Sequence, residues 1–287
     1  MNEVRAVGAE AFEEIYPLLR LFPTTQMSKD DWHRMLFSTA WSDNPQRGYA
    51  LYSGGKPVGF IATIFSKREL AGRLEPICSL SSWIMLPEHR DGVLALLTPI
   101  LKLRDHTILN PTPSPTAYEI FFKLGFKPLE SERFIAPPLP GPGEARRSLR
   151  GSFSRSRADL DLELTGDERK LYQDHSSCAA AQHVLLRHGE RRCYVVATAI
   201  HKKGLPFAEI QYASDWDLFW EHRLLAHAAL LPATRAMALL VDKRYSVGRK
   251  TPLGMNWPSR RLYRPTRKEI EPRMIDNLYS ELMNLRW

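Results

Sequence analysis

The sequence predicts a mixed α/β protein in two domains, and three observations support this prediction. Residues 80–126 read in succession as strand, turn, helix, strand and short helix. A β-hairpin precedes them, and the order hairpin, helix, strand recurs between residues 193 and 241. A segment rich in Pro, Gly, Arg and Ser separates the two halves. We therefore expect domains at 1–136 and 159–287, joined by a linker at 137–158.

The elements before residue 80 each have a local signal. Glu3 to Val7 reads as a first strand, and residues 11–21 form an amphipathic pattern with helical spacing. Ser28 begins a second helix, because an acidic residue follows it at capping-box spacing. Residues 49–65 alternate as a hairpin around a Gly-Gly turn. The charged segment 66–76 is expected to connect this hairpin to the next strand.

The stretch 80–126 is expected to hold an anion-binding turn. A buried strand from Leu80 to Leu86 ends abruptly at a proline, and a helix follows from Val93. The turn between them leaves free backbone N–H groups at the positive end of a helix, where an anion can bind. A second strand at 107–109 and a short helix at 117–124 complete the stretch.

Three segments of the second half have their own local signals. Leu160–Leu164 alternates as a strand, and 167–188 is expected to be mainly helical. A terminal helix is expected at 269–285, with a buried stripe formed by Met274, Ile275, Leu278, Leu282 and Leu285.

Two short motifs in the stretch 80–126 resemble those of a known protein family. They are the turn Pro87-Glu88-His89-Arg90 and the helix end Lys123-Leu124-Gly125-Phe126. In this order of elements they resemble the core of the GNAT superfamily of acyl-CoA-dependent acyltransferases, over about the first 135 residues. The element order of 159–287 resembles a second, degenerate GNAT-like domain. The resemblance implies a mixed central sheet flanked by helices, acetyl-CoA or another acyl-CoA as co-substrate, and no metal.

The resemblance also implies where the co-substrate binds. In the family, the strand that corresponds to 80–86 parts from its neighbour, and ligand amides in the gap replace the missing ladder hydrogen bonds. The implied cofactor-binding residues are Trp83, Ile84, Met85 and Leu86 for the pantetheine arm, and Arg90, Asp91, Gly92, Val93, Leu94 and Ala95 for the pyrophosphate. The loop departs from the family pattern, since Val93 stands where glycine is expected and Gly92 falls one place early.

Acyl transfer to an amine needs a group that removes a proton from the acceptor. The candidates for this base are Glu75, Glu88 and His89, of which the two carboxylates are preferred, and Ser82 could relay the proton or orient the base. For Glu88 and His89 the alternative is simple exposure in the turn. The family commonly places a proton-donating tyrosine where this chain has Phe121. Tyr118, one helical turn earlier, is the expected substitute, and its alternative role is that of an ordinary helix residue. Cys78 has no His or Asp at a recognisable spacing and is expected to be a buried thiol.

Composition restricts the class of protein. The 287 residues are 44% hydrophobic, enough for a substantial core. Three cysteines are too few and too scattered for a disulfide framework or a zinc site, and the N-terminus lacks the apolar region of a secretory signal. The apolar window 224–241 contains Pro232 and Arg235, so we expect no membrane span. A cytoplasmic protein is the expectation.

The net charge of +8 is distributed unevenly. Residues 1–135 hold 15 basic and 15 acidic residues, whereas 235–273 hold 11 basic residues against three acidic ones. This second region is either a surface for an anionic partner or a solvated basic face.

The predicted function is transfer of an acyl group, most simply acetyl, from coenzyme A to a small-molecule or polymer acceptor that bears an amine or hydroxyl. The alternative is a non-catalytic acyl-CoA-binding or recognition protein that uses the basic C-terminal half. No motif in the sequence specifies the acceptor.

Overall fold

A computed structural model describes residues 2–23, 27–38, 41–42 and 44–284. These residues form two compact units. Unit 1 comprises the described residues up to Leu129 together with Arg260–Ile275 and Tyr279–Glu281. Unit 2 comprises Glu130–Ser259, Asp276–Leu278 and the described residues from Leu282 onward. The chain therefore returns to unit 1 after completing most of unit 2. A simple division at residues 136 and 159 does not describe this return.

The secondary structure of the described residues is as follows. The strands are β1 (Glu3–Val7), β2 (Gly48–Ser53), β3 (Lys56–Leu70), β4 (Arg73–Met85), β5 (Thr107–Asn110), β6 (Lys127–Ala136), β7 (Ser152–Ser154), β8 (Ala181–His188), β9 (Arg191–Lys202), β10 (Leu205–Ala213), β11 (Ala238–Asp242) and β12 (Met255–Arg264). The helices are α1 (Phe12–Leu19), α2 (Lys29–Trp32), α3 (Val93–Leu101), α4 (Pro115–Lys123), α5 (Glu144–Ser148), α6 (Arg157–Glu163), α7 (Gly166–His175), α8 (Trp216–Glu221) and α9 (Arg223–Thr234). Short π or 3₁₀ turns lie at 9–11, 33–37, 87–92, 243–245, 272–274 and 281–283. None of the described helices has the length and hydrophobicity needed to cross a membrane.

Unit 1 is built on a mixed sheet in the order β1-β2-β3-β4-β5. Neighbouring strands are antiparallel except β4 and β5, which run parallel because α3 connects them as a crossover. The C-terminal part of β12 pairs antiparallel with β5, with Tyr263 opposite Leu109. Leu96, Leu97 and Phe121 from α3 and α4 are buried with apolar strand residues in one core cluster. This core fixes both helices against the central strands.

The prediction of a connector at 66–76 is wrong, because β3 and β4 continue through this segment as one long hairpin. The strands turn at Ala71 and Gly72, both with positive φ, which suits a tight turn between twisted strands. The charged residues hid the alternation, since Lys67 and Glu69 are exposed while Ser66 and Leu70 on the other side are buried.

Within unit 2 the strands follow the order β7-β8-β9-β10-β11, which repeats the order of unit 1, and β6 lies next to β11. The β9–β10 hairpin is followed by α8, α9 and the strand β11, which pairs parallel with β10. Val195, Ile210 and Leu239 from these strands are buried with Leu230 of α9 in one core cluster. The predicted order hairpin, helix, strand is therefore present in the structure.

Residues 137–158, predicted to be a tether, contain α5 and β7 within unit 2. Arg223, which is 1% exposed, binds Glu144 of α5 at 2.5 Å and donates to the carbonyl of Pro137 at 3.0 Å. A buried ion pair of this kind holds the segment in place, because separating it would leave a buried charge without a partner.

Three further predictions of secondary structure are corrected. Leu160–Leu164, whose alternation suggested a strand, lies mostly in helix α6 because Leu160 and Leu164 are buried four residues apart while Leu162 is 78% exposed. The predicted terminal helix 269–285 is instead an irregular segment with 3₁₀ turns, up to the last described residue, 284. Its Leu285 lies outside the described residues. Asp167–His188 is helical only as far as His175, and β8 occupies its second part.

Candidate active site

Strands β4 and β5 part from each other in unit 1. They pair at Ile77, Cys78 and Ser79, opposite residues 107–109, and pairing with β5 stops there. Strand β4 continues to Met85, bonded on its other side to β3. In the described residues, the β5-facing edge of β4 beyond Ser79 therefore has backbone groups without ladder partners. Such an edge can accept a ligand amide as an added strand would.

A β-bulge lies on β4 at the start of this free edge. The register shifts between the pairs Ala62–Ser81 and Phe60–Ile84, so that β4 has one residue more than β3 in this interval. Ser82 adopts φ +48°, a left-handed conformation that is unusual for serine. Its Oγ lies 3.1 Å from that of Ser81. Bulges redirect the side chains that follow them and are frequent beside active sites.

Trp83 follows the bulge and packs against α4. Its ring meets Phe121 edge-on at 5.6 Å, and Phe121 is 1% exposed. The Nε1 of Trp83 is buried without a hydrogen-bond partner among the described residues, which is costly for a donor. Ile84, Met85 and Leu86, like Trp83, are partly buried. The structure thus brings all four implied pantetheine residues to one segment of β4 and its end.

Tyr118 lies on α4, one turn before Phe121. Its partly buried ring stacks on Phe122 at 6.1 Å, and the Arg260 guanidinium lies 5.1 Å from the ring centre. The hydroxyl has no hydrogen-bond partner among the described residues of unit 1. Phe121, by contrast, is committed to the core between Trp83 and Phe126.

The turn before α3 is largely exposed. Glu88, Arg90 and Asp91 are solvent-accessible and form no ion pair among the described residues. Gly92 is buried, and a Cβ there would lie 2.4 Å from Cδ2 of Leu51. Its small size therefore serves close packing of the helix start on β2, which the sequence alone did not indicate.

The first turn of α3 contains the remaining residues of the predicted pyrophosphate site. Val93 is partly buried, whereas Ala95 and Leu94 are exposed, Leu94 by 63%. The first amides of a helix have no intrahelical acceptor, and they carry the positive end of the helix dipole. This turn is therefore open to an anion from solvent.

Glu75, a predicted base, does not reach the free edge of β4. It lies near the start of that strand, where its carboxylate accepts from Thr107 Oγ1 at 2.7 Å and from the Thr266 hydroxyl. Arg267 lies 3.5 Å from its second oxygen. This buried carboxylate is fully engaged in holding β4, β5 and the segment after β12 together.

A carboxylate that sequence reasoning missed lies between the parting strands. Glu281 is 1% exposed and accepts a 2.5 Å hydrogen bond from Thr112 Oγ1, just after β5. The side chain of Ser81 in β4 also acts on this carboxylate and lowers its pKa, while Oε2 has no hydrogen-bond partner among the described residues that meets the usual geometry. Burial raises the pKa of Glu281 to about 7, although Thr112 and Arg261 act to lower it. A carboxyl that titrates near neutrality can exchange protons at physiological pH.

No local signal in the sequence identified Glu281. It follows Ser81 by 200 positions (281 − 81), and the segment around it was predicted as a helix with an apolar stripe. The one indication was an acidic residue placed between apolar ones, Leu278 and Leu282. Arg261, which is fully buried in unit 1, was likewise assigned to a basic surface.

Cys78 is the structural thiol that the sequence predicted. It is fully buried beside the last paired residues of β4 and β5, and burial raises the pKa of its thiol. A thiol kept protonated in the core is a poor nucleophile.

Many residues of the basic region 235–273 form ion pairs or hydrogen bonds with residues of their own unit. In unit 2, Arg244 is buried and pairs with Asp242 at 2.9 Å, while Lys243 pairs with Glu132. In unit 1, Arg264 donates to the last carbonyls of α3 and to that of Leu103 just after the helix, the latter at 3.1 Å. This arrangement does not support a single surface for an anionic partner.

Comparisons with solved structures identify the fold. A GCN5-related N-acetyltransferase from Anabaena variabilis superposes with a TM-score of 0.60 at 12% identity, over 93% of this chain and 73% of that one. A tandem GNAT protein from the clavulanic acid biosynthesis pathway gives 0.56 at 13% identity, over 93% and 99%. Saccharomyces cerevisiae N-myristoyltransferase with bound myristoyl-CoA gives 0.50 at 10% identity, over 100% and 85%.

No protein-family model and no curated protein matches the sequence. The likeness therefore concerns the architecture, a mixed sheet flanked by helices. The predicted resemblance is confirmed at this level, and the chain has the fold of the GNAT superfamily.

Proposed function

We propose that unit 1 transfers an acyl group, most simply acetyl, from coenzyme A to an amine or hydroxyl of an acceptor molecule. The observation that carries this proposal is the parting of β4 from β5 after Ser79, with a bulge at Ser82 on the free edge. Solved structures of a GCN5-related N-acetyltransferase and of an N-myristoyltransferase with bound myristoyl-CoA are similar in fold. Unit 2, with its repeated strand order, is then a second GNAT-like domain in tandem.

The residues present fit an acyl-CoA. The unpaired edge from Trp83 to Leu86 offers backbone groups to the amides of the pantetheine arm. The exposed first turn of α3, together with Arg90, offers amides and a positive charge to the pyrophosphate. Asp91 opposes this with one negative charge, so the affinity rests mainly on backbone groups.

Glu281 is the proposed base in place of Glu75 or Glu88. Its carboxylate removes a proton from the acceptor, and its raised pKa places proton transfer near neutral pH. Thr112 and Ser81 hold it in position between the parting strands. Tyr118 is the proposed donor to the departing thiolate, since Phe121 has no proton to give.

Calorimetric titration with acetyl-CoA tests the binding site. We expect binding to the parent protein and a loss of at least about tenfold in Leu94→Glu, because a carboxylate at the helix start repels the pyrophosphate. Leu74→Glu is the matched control, since Leu74 is 67% exposed near the other end of β4. Equal affinity in the two variants would remove α3 from the site.

A second candidate function is acyl-CoA binding without catalysis. Phe121 in the usual tyrosine position and Val93 in the usual glycine position favour it. Binding of acetyl-CoA without acetyl transfer to any member of an amine and hydroxyl acceptor panel would support this function, whereas release of free coenzyme A dependent on one acceptor would support the enzyme.

A further inference from the structure

Three side chains with metal-binding groups converge in unit 2. His188 ends β8, Glu221 ends α8, and His222 joins α8 to α9. One ligand atom from each lies within 4.8 Å of the other two. None of these residues belongs to the proposed acyl-transfer site, which lies in unit 1.

His222 is buried, and the hydrogen-bonding capacity of its ring nitrogens is not used. It is 1% exposed, and neither Nδ1 nor Nε2 has a hydrogen-bond partner among the described residues. A buried polar group left unpaired costs about 1–3 kcal/mol. Such a cost is expected where an atom other than protein completes the site.

Other buried histidines of this unit have backbone carbonyls close to both ring nitrogens. Both ring nitrogens of His175 lie within 3.0 Å of backbone carbonyls, those of Leu171 and Leu278. His227 is held in the same way, with both nitrogens within 2.9 Å of carbonyls. His222 is therefore unlike these two histidines: its Nε2 lies 3.8 Å from Oε1 of Glu221, and its ring centre lies 4.4 Å from that of His188.

Glu221 presents one oxygen to this cluster. Its Oε1 lies 3.8 Å from Nε2 of His222, while Oε2 is 3.2 Å from the guanidinium of Arg191. Arg191 is itself held by Asp215 at 2.9 Å. A fixed outer partner of this kind orients a metal-binding carboxylate.

We propose that His188, Glu221 and His222 bind a divalent transition metal of the zinc type. Two imidazoles and one carboxylate are a ligand set that zinc uses with a fourth position left to water. In tetrahedral zinc sites the ligand atoms are about 3.4 Å apart, so ligand atoms within 4.8 Å of one another need to approach by up to about 1.4 Å. The Glu221 side chain is 34% exposed, which leaves it free to move and gives the metal a path from solvent.

Metal titration of the full chain tests this site. After treatment with a chelator and its removal by dialysis, we expect the protein to bind one equivalent of Zn²⁺ and to give the visible spectrum of tetrahedral Co²⁺. His222→Gln and His188→Gln should each weaken Zn²⁺ binding at least about tenfold. His201→Gln, at an exposed histidine of unit 2, is the matched control and should bind as the parent does.

The proposal is overturned if the parent binds no Zn²⁺, or if His222→Gln binds as tightly as His201→Gln. Circular dichroism establishes that each variant is folded. If His222→Gln does not fold, Glu221→Gln, at the partly exposed ligand, decides in its place: affinity equal to the parent's refutes the site, and a loss of at least about tenfold supports it.

Discussion

At the scale of single residues, Glu281 is the decisive feature of the candidate active site. The sequence supplied Glu75 and Glu88 because both lie close in the chain to the central strand. In the structure, Glu75 is engaged with Thr107 and Thr266, and Glu88 is exposed in a turn. Glu281 arrives from the far end of the chain and is buried with one oxygen unpaired. Burial, which no local pattern reveals, sets its pKa.

Glu281→Gln is predicted to lower acyl transfer by about 100-fold while leaving acetyl-CoA binding almost unchanged. In the parent, the rate should rise with pH through about 7, as the carboxylate forms, and the variant should lose this rise. The pH profile of turnover, measured once an acceptor is found, checks both. Glu75→Gln is the matched control. It changes a buried carboxylate of β4 that lies outside the proposed site, so it should retain the pH dependence of the parent.

The raised pKa of Glu281 also predicts how the free energy of unfolding depends on pH, and this can be measured without an acceptor. Because the folded-state pKa is raised from 4.5 to about 7, the stability associated with the protonated carboxyl is complete below pH 4.5 and is lost as pH rises through about 7. This shift corresponds to a loss of up to about 3 kcal/mol. Urea unfolding at pH 5 and pH 8 should show a smaller difference for Glu281→Gln than for the parent. An unchanged difference would show that Glu281 ionises as it does in the unfolded chain.

At the scale of elements, the sequence predicted those whose signals are local. Strand β1, the capped start of α2 at Ser28 and the β2–β3 turn are all where alternation, capping chemistry and glycine placed them. The predictions failed where tertiary packing decided the outcome. Leu160 and Leu164 read equally well as alternating or as one helical face, and the core of unit 2 selected the helix.

The bulge on β4 is an element that no sequence pattern announced. Ser82 at φ +48° costs conformational energy, which a glycine would relieve and a β-branched residue would increase. Ser82→Gly should therefore keep or raise stability and keep acetyl-CoA binding. Ser82→Val should lower the free energy of unfolding by about 1–3 kcal/mol and weaken binding, because it favours a regular strand. Urea unfolding and calorimetry measure the two effects; equal behaviour of Gly and Val would show that the left-handed conformation is unimportant.

At the scale of the whole molecule, the last segment of the chain serves both units. Asp276–Leu278 belong to unit 2, whereas Tyr279–Glu281 belong to unit 1. The segment was predicted as a helix with its own apolar stripe, since Ile275, Leu278 and Leu282 have helical spacing. In the structure these residues are buried in a segment of irregular backbone and 3₁₀ turns, because burial of their side chains outweighs helical propensity.

Within each unit, this segment bonds to the parallel strand pair. In unit 2, Asn277 donates its backbone N–H to the carbonyl of Gln211 at 3.3 Å and its amide to Asp242 at 3.1 Å. In unit 1, Glu281 accepts from Thr112 beside the parting strands. Each unit therefore has a strand pair completed by residues from the same short segment.

Deleting residues 276–287 is accordingly predicted to destabilise both units and not one alone. Each lost buried hydrogen bond is worth about 1 kcal/mol, and removal of the nearly fully buried side chains of Leu278 and Leu282 takes away about 2 kcal/mol of hydrophobic stabilisation for each. Hydrogen exchange should show faster amide exchange in β4 and β5 and also in β10 and β11. Asn277→Ala is the control confined to unit 2, so its effect should be limited to β10 and β11. Protection retained in β4 and β5 after the deletion would show that unit 1 is complete without Glu281, and would separate that residue from the architecture of the proposed site.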